Sequence, residues 1–325
     1  MLDNVVGQLR AKQMFELVAQ TFSRTGHMPP LGIFGPSGYG KTHLVTEWAK
    51  ELGAKVIYIN GTAIRDALAF RAYFKEADKD KHTKYIVFID ECHMLPNKVQ
   101  ENLLSVLEQP AVLCTVATKE VGNVLCCDGI TRWIDKGDVM REALPSNLSF
   151  VFATTDASCL KETIHNRLRK INLEPYSMED KIRIAMDHLA NQGVVLQDLS
   201  IYEELAKRCR SIRQLREELC EAFIDVSVVY EGSPQERLGV MDSILGIDEN
   251  GANDLDRSYL EYIATNGIAS LATLAGYLKI SKEEIVDRIE PFLLEKQWIK
   301  ITNKGRILTN MGREKVFEEE DGKTE

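Results

Sequence analysis

The chain has 325 residues, 44% of them hydrophobic and 27% charged, and its 40 Lys and Arg against 49 Asp and Glu give a net charge of −9. That length accommodates two or three domains with substantial cores. The absence of any apolar run of about 18 residues excludes a transmembrane helix, and the acidic balance excludes a uniformly basic nucleic-acid coat while leaving room for a local basic patch.

The opening "MLDNVVGQLR" lacks the apolar run of a signal peptide, so a cytosolic location is expected. Residues 8–24 have helical spacing. "LGIFG" (31–35) is a short apolar strand, "AKVIYI" (54–59) and "KYIVFID" (84–90) are buried strands, and "SFVFATT" (149–155) is another. Residues 66–77 and 98–108 carry helical periodicity, with Val99, Leu103 and Val106 on one face. Strands alternating with helices predict an α/β fold with a parallel sheet covered on both faces. From "EPYS" (174–177) the pattern turns wholly helical to about residue 230, where "EGSPQ" breaks it. "GIDENGANDLD" (246–256) reads as a linker, residues 254–317 as a small α+β unit, and 318–325 as a disordered acidic tail. The seven cysteines include an adjacent pair, Cys126 and Cys127, and no CxxC, which points to reduced thiols rather than a zinc site or disulfide framework.

"GPSGYGKT" (35–42) lies between a strand and a helix. In such a loop Gly35, Gly38 and Gly40 let the backbone wrap phosphate oxygens, with Ser37 at the turn. Lys41 reaches the terminal phosphates and the Thr42 hydroxyl ligates magnesium. ATP and Mg2+ are therefore the expected cofactors, and Tyr176, where the helical region begins, is a further candidate nucleotide contact. In "YIVFIDECH" (85–93) four apolar residues carry Asp90 to the carboxyl end of a buried strand, where open α/β sheets bind ligands. Asp90 is expected to hold magnesium and Glu91 to polarise the attacking water. Thr155, ending the next strand in "FATTD", is placed to bond the γ-phosphate or that water. Arg167 in "TIHNRLRKI" is placed to reach a neighbouring subunit's nucleotide, and Arg213 in "RCRSIRQLREEL" to approach the phosphates from the helical region. Taken alone, each of these two arginines reads as a solvated surface residue.

In order and spacing these motifs resemble the AAA+ ATPases. "LDNVVGQ" (2–8) is similar to the family's opening segment near adenine, and the loop and "FIDECH" to its Walker A and B motifs. Thr155, Arg167 and Arg213 fall where sensor 1, the arginine finger and sensor 2 are expected. The resemblance implies a large ATPase domain over 1–175 and a helical lid over 176–250. "DECH" also resembles the second motif of DEAH-type helicases, but those enzymes have two tandem motor domains and residues 176–325 carry no second parallel-sheet pattern. "ENLLSVLEQP" (101–110) and "ATTDASCLKETIHNRL" (153–168) resemble clamp-loader sequence. Clamp loaders, however, pass almost directly from one segment to the other and end in a helical collar. Here about forty residues intervene, over about 111–148, with the alternation of an inserted β-hairpin.

The C-terminal unit has the pattern of a winged helix: two helices, a third begun by a Ser281/Glu284 capping-box pattern, then the alternating "QWIKITNKGRILT" turning at Asn303–Gly305. "LDRSYL…LATLAGYL…EEIVDRIEPFLLEKQWIKITNKGR" closely resembles the end of the RuvB family of Holliday-junction branch-migration motors. That resemblance implies a homo-oligomeric ring of about six subunits, four-way-junction or other double-stranded DNA as track, and a RuvA-like junction-binding partner docking on the insert. The sequence departs from the family in lacking the Arg-Pro segment before the opening motif, in reading "ITNKGR" where the family wing reads Arg-Thr-Pro-Arg-Gly-Arg, and in a longer insert bearing Cys126, Cys127 and Trp133. The usual RuvA contact is thereby put in question.

On the third helix Glu283, Glu284, Asp287 and Glu290 outnumber Lys282 and Arg288, a poor major-groove reader. The positive residues cluster at the wing, so Lys304 and Arg306 are the expected DNA contacts, through phosphates and without regard to sequence. A clamp-loader-like or helicase-loader ATPase, and an ATP-gated scaffold on DNA, stand as alternative readings.

Overall fold

In each central strand alternate residues turn to opposite faces, and both sets are apolar. Ile86 and Phe88 join Leu31, Ile33, Val151, Phe15 and Trp48 in one core, while Val87 and Ile89 join Phe34, Phe150, Phe152, Ile164 and Leu168 in another. The computed structural model describes residues 2–25, 28–65, 73–80, 82–97, 99–100, 103, 107, 122–125, 130–135, 138–143 and 147–321. Its contacts divide the chain into two units, Met1–Asp180 and Lys181–Glu325.

The first unit is built on a five-stranded sheet of order β2-β3-β7-β1-β8. Its strands are β1 (Leu31–Phe34), β2 (Lys55–Asn60), β3 (Tyr85–Asp90), β7 (Leu148–Thr154) and β8 (Arg169–Asn172), and every pairing is parallel. Helix α1 (Leu9–Thr25) buries Ala11, Phe15 and Val18, a helical spacing, and Phe15 packs on Trp48 of α2 (Lys41–Glu51) with ring centroids 4.7 Å apart. Strand β8 has no apolar run in the sequence; only Ile171 of its four residues is buried. Of the helix expected over 66–77, Lys75–Lys79 is helical and 66–72 lie outside the described residues. Val99 and Leu103 are buried, and Val106 lies outside the described residues.

The insert differs from the expected hairpin. β4 (Gly122–Leu125), β5 (Ile130–Asp135) and β6 (Asp138–Ala143) form a separate three-stranded antiparallel sheet in chain order. Alternation cannot distinguish two strands from three; β5 pairs antiparallel with both β4 and β6. Cys126 and Cys127 lie outside the described residues. Among the described cysteines Cys92, Cys209 and Cys220 are buried and Cys159 is exposed. Burial pushes the thiols of Cys92 and Cys220 up to about 12.

The second unit holds the helices Leu199–Arg208, Ile212–Gln214 running through a π-helical turn into Glu221–Val229, and Pro234–Leu245. Beyond these come Asp254–Asn266, Leu271–Leu278 and a third helix from Lys282 to Glu295, then β9 (Ile299–Thr302) paired antiparallel with β10 (Gly305–Leu308). Ala269 adds a bridge to Arg306, and Tyr259, Ile263, Leu274, Ile289, Phe292 and Trp298 form the core. Of residues 246–256, expected as a linker, 246–253 form an ordered turn and Asp254–Asp256 begin a helix. Asp248 accepts from the amides of Asn250 and Ala252, Asn253 caps Asp254–Asn266, and fully buried Asp256 pairs with Arg210. Gly251 has φ +83 and sits where a Cβ would come within 2.1 Å of the Arg208 carbonyl. The polar residues that read as a linker are thus helix caps and ion-pair partners. Ser281 caps as expected, but the Glu284 carboxylate turns to Arg288 instead of closing the box. The last helix runs Asn310–Asp321, so 318–321 of the expected disordered tail are helical, and 322–325 lie outside the described residues. Among the described residues no helix is long and apolar enough to cross a membrane.

Candidate functional site

Strands β1, β3 and β7 run parallel and end at one edge of the sheet, so Gly35, Asp90 and Thr155, the residues at or just past their ends, emerge together. Gly38 and Gly40 have φ of +79 and +82, and Gly40 is the left-handed cap of α2. A Cβ at Gly40 would lie 3.1 Å from the Tyr176 hydroxyl, which itself donates to the Tyr39 carbonyl at 3.1 Å. Ser37 is exposed on the loop. Lys41 is 7% exposed, and its Nζ donates to the Gly35 and Pro36 carbonyls at 2.8 and 3.0 Å. Phosphate oxygens would make stronger, charge-assisted partners for the same ammonium. A loop of left-handed glycines with a lysine folded over it fits a nucleotide's phosphates.

Gln8, buried at φ +53, donates to the Glu174 carbonyl at 2.7 Å and accepts from the Glu174 amide at 3.0 Å, which ties the opening segment to the stretch bearing Tyr176.

At the end of β3 the Thr42 hydroxyl lies 3.3 Å from Asp90 Oδ2, and the Tyr58 hydroxyl donates to the same oxygen at 3.2 Å. A hydroxyl and a carboxylate are oxygen donors of the kind that would suit a divalent cation. Glu91 adopts the left-handed conformation, φ 47 and ψ 47, which costs a non-glycine residue roughly 1–2 kcal/mol. Gly61 permits it: a Cβ there would come within 2.3 Å of the Glu91 carbonyl. Glu91 Oε2 accepts from the Thr155 hydroxyl at 3.0 Å. Arg167 follows the short helix Glu162–His165, is exposed, and donates to the Thr163 carbonyl at 2.6 Å. Arg213 belongs to the second unit, exposed and 4.0 Å from Glu217. The structure thus gathers Lys41, Thr42, Asp90, Glu91, Thr155 and Tyr176 in the first unit and puts Arg213 in the other.

The wing corrects one expectation. Arg306 does not present its charge at the tip: its Nε and Nη2 donate to Glu290 Oε1 and Oε2 at 2.7 and 3.2 Å, and Glu290 is 3% exposed. The Tyr259 hydroxyl donates to the same carboxylate at 3.0 Å. The physical reason is desolvation: a buried carboxylate needs a counter-charge, and Arg306 is the group that meets it. Glu290 likewise is no exposed charge on the third helix. Lys300 and Lys304 are exposed, Lys304 in the turn that joins β9 to β10.

Residues 31–176 match the family described as ATPase family associated with various cellular activities (AAA), and residues 249–316 match the RuvB C-terminal winged helix domain. This chain is a RuvB-like AAA+ ATPase. It is 27% identical to the Holliday junction branch migration complex subunit RuvB of Wolbachia sp. subsp. Drosophila simulans (strain wRi), over 96% of this chain and 92% of that protein. It is 28% identical to the protein of the same name from Desulfosudis oleivorans, over 94% and 85%. The Thermotoga maritima RuvB Holliday junction branch migration motor superposes with a TM-score of 0.74 at 22% identity, covering 97% of this chain and 96% of that one, a likeness of fold. As an AAA ATPase the RuvB-like chain binds and hydrolyses nucleotide.

Two contacts of the RuvB-like site escape sequence reasoning. Tyr58 lies in β2, and only the register Tyr58↔Phe88, two residues before Asp90, reveals that its hydroxyl can reach that carboxylate. His93 stands in "DECH" itself, and its Nδ1 is 2.8 Å from Thr154 Oγ1 and 3.4 Å from Glu91 Oε2.

Proposed function

We propose that the chain is a cytoplasmic motor that forms a homo-oligomeric ring and uses ATP hydrolysis to drive double-stranded DNA through it, moving the branch point of a four-way junction. The observation that supports this reading most is the joining, in one chain, of a P-loop sheet to a RuvB-type winged helix, alignable along 96% of its length with a protein named as a branch-migration subunit. The chain divides functionally into an ATPase domain through about residue 175, a helical lid to about 250 and the winged helix. Lys41 holds the terminal phosphates, with the Gly35–Gly40 loop around them and Tyr176 beside it. Thr42 and Asp90 hold magnesium, which supplies charge neutralisation at the phosphates. Glu91 takes the proton of the attacking water, and Thr155 fixes the carboxylate that does so. Arg167, exposed at the surface of the first unit, stabilises transition-state charge on the neighbouring subunit's nucleotide, and Arg213 approaches the phosphates from the lid. Lys304 meets DNA phosphates. Strands β4–β6 are the docking segment for a RuvA-like junction-binding protein. The test is ATP-dependent conversion of a synthetic four-way junction into two duplexes by the purified chain, with and without such a partner. ATP turnover that no DNA stimulates, with the junction unchanged in both cases, would overturn the motor.

A further inference from the structure

The Glu91 carboxylate takes its hydrogen bonds from Thr155, at the end of the neighbouring strand. The left-handed backbone of Glu91 turns the chain sharply at the end of β3, and the 3₁₀ turn Cys92–Met94 that follows folds residue 93 back against β7. The His93 ring is 16% exposed, wedged between the ends of two paired strands.

The hydrogen-bond inventory assigns its proton. The Thr154 hydroxyl has one hydrogen, and it goes to the Asp156 carbonyl at 2.9 Å; the Asp156 amide donates to that hydroxyl at 3.0 Å. A hydroxyl so engaged meets His93 Nδ1 at 2.8 Å as an acceptor, so Nδ1 carries the hydrogen. The opposite tautomer would turn a nitrogen lone pair toward Glu91 Oε2 and leave the Asp156 carbonyl without its donor. The protonated Nδ1, directed at Thr154, therefore also lies 3.4 Å from Glu91 Oε2, close enough for an ion–dipole attraction, beside the Thr155 hydroxyl at 3.0 Å.

We infer that His93 is a positioning residue for ATP hydrolysis: by bridging Thr154 on β7 and the Glu91 carboxylate it fixes Oε2 and leaves Oε1 to take the proton from water. The inference rests on Glu91 being the base. A carboxylate on a strained turn, held by Thr155 alone, would swing about its side-chain torsions, and misplacement of a catalytic group by about 1 Å costs about 10²-fold. His93 touches no reacting atom; it acts through Glu91.

The decisive series is His93→Ala, His93→Asn and His93→Gln in the full chain, with ATP turnover and ATP-analogue affinity measured separately. The side-chain nitrogen of Asn occupies the place of Nδ1, one bond beyond Cγ, whereas that of Gln lies one atom further out. The expected result is a fall in kcat of about 10- to 100-fold for Ala and Gln with KM and analogue affinity within about threefold, and recovery of most of the loss by Asn. Thr154→Val, which removes the acceptor and keeps the shape, should lose a similar factor, and the pair His93→Ala/Thr154→Val no more than the larger single loss. Should His93→Ala fail to fold, the Asn and Gln variants decide alone. A wild-type or raised kcat for Ala or Gln, an Asn variant as slow as Gln, or additive losses in the pair would each overturn the inference. Glu91→Gln in parallel separates the two readings. If it turns over normally, the assignment of the base has failed; if it is inactive while His93→Gln is not, only the role of His93 has.

Discussion

Lys41 follows Gly40 in the P-loop and Arg306 follows Gly305 in the wing, and both cations are poorly exposed. Their partners differ. The Lys41 ammonium rests on two neutral backbone carbonyls, whereas the Arg306 guanidinium clasps a buried carboxylate that also takes the Tyr259 hydroxyl. A carbonyl gives up an ammonium to phosphate with a gain, because the new bond is charge-assisted on both sides. A buried carboxylate does not give up its arginine, because the separation strands a charge in a dry site. Gly305 reinforces this by holding the strand against Ala269, where a Cβ would come within 2.5 Å of the Ala269 carbonyl. Two Gly-cation steps thus do opposite work, one releasable and one fixed, and the nature of the partner decides which.

The largest effects belong to the releasable side. Arg167→Ala should lower turnover by about 10³-fold or more, with ATP binding retained. Mixing it with Glu91→Gln protomers should restore part of the rate, since some interfaces then join an intact Glu91 to an intact Arg167. Mixed rings with no recovery would rule out action in trans. Glu91→Gln alone should cost about 10²- to 10⁴-fold. Lys41→Ala should weaken nucleotide binding by about 10²-fold yet change the stability of the empty protein by about 1 kcal/mol, because the Gly35 and Pro36 carbonyls it leaves are neutral. Binding is read by calorimetric titration and stability by thermal unfolding without nucleotide. A Lys41→Ala chain that melted far below wild type would break the contrast.

Arg306→Ala should do the reverse. With Glu290 and Tyr259 left facing each other in a buried site, the second unit should lose about 3–5 kcal/mol, a fall in melting temperature of about 10 °C, while the first unit's melting is unchanged. Replacing the pair with apolar residues, Arg306→Met with Glu290→Leu, should recover most of it. An Arg306→Ala protein with wild-type melting and impaired DNA binding would reinstate the arginine as a phosphate contact.

The same contrast explains what could be read in the sequence. Lys41, Thr42 and the loop glycines are legible because their roles are local: eight consecutive residues fix the spacing. Asp90 and Glu91 are legible because an apolar strand carries them to its end. Arg306 is not, since its partner lies 16 residues upstream on what reads as the exposed side of a helix. Asp248 and Asp256 read as a linker for a similar reason: their charges are matched by Lys315 and Arg210, which are distant in sequence, while Asn253 between them is a local helix cap. Strand β8 is hidden because an edge position needs only one buried side chain, Ile171. His93 stands within "DECH", but its bond to Thr154 spans 61 residues and exists only through the pairing of β3 with β7.

The smallest effect tests the cation that the wing does leave exposed. Lys304 occupies the turn between β9 and β10, and that turn is fixed from within: the Thr302 hydroxyl donates to the Gly305 carbonyl at 2.8 Å and accepts from the Lys304 amide at 3.3 Å. A lysine on a braced two-residue turn can reach a phosphate without distorting the ribbon, and its removal should leave the fold untouched. Each phosphate contact releases condensed counterions, so Lys304→Ala should flatten the log–log dependence of DNA affinity on salt by about one unit and weaken binding to unrelated duplexes by a similar factor. ATP turnover without DNA should not change. Arg306→Ala, measured on protein kept well below its melting temperature, should leave the salt slope where it was, because its charge is neutralised by Glu290 whether or not DNA is present. The two variants side by side across a salt series therefore separate a cation that touches DNA from one that shapes the wing. An unchanged slope for Lys304→Ala would take the wing off the DNA path and pass the role to the helix that begins at Lys282.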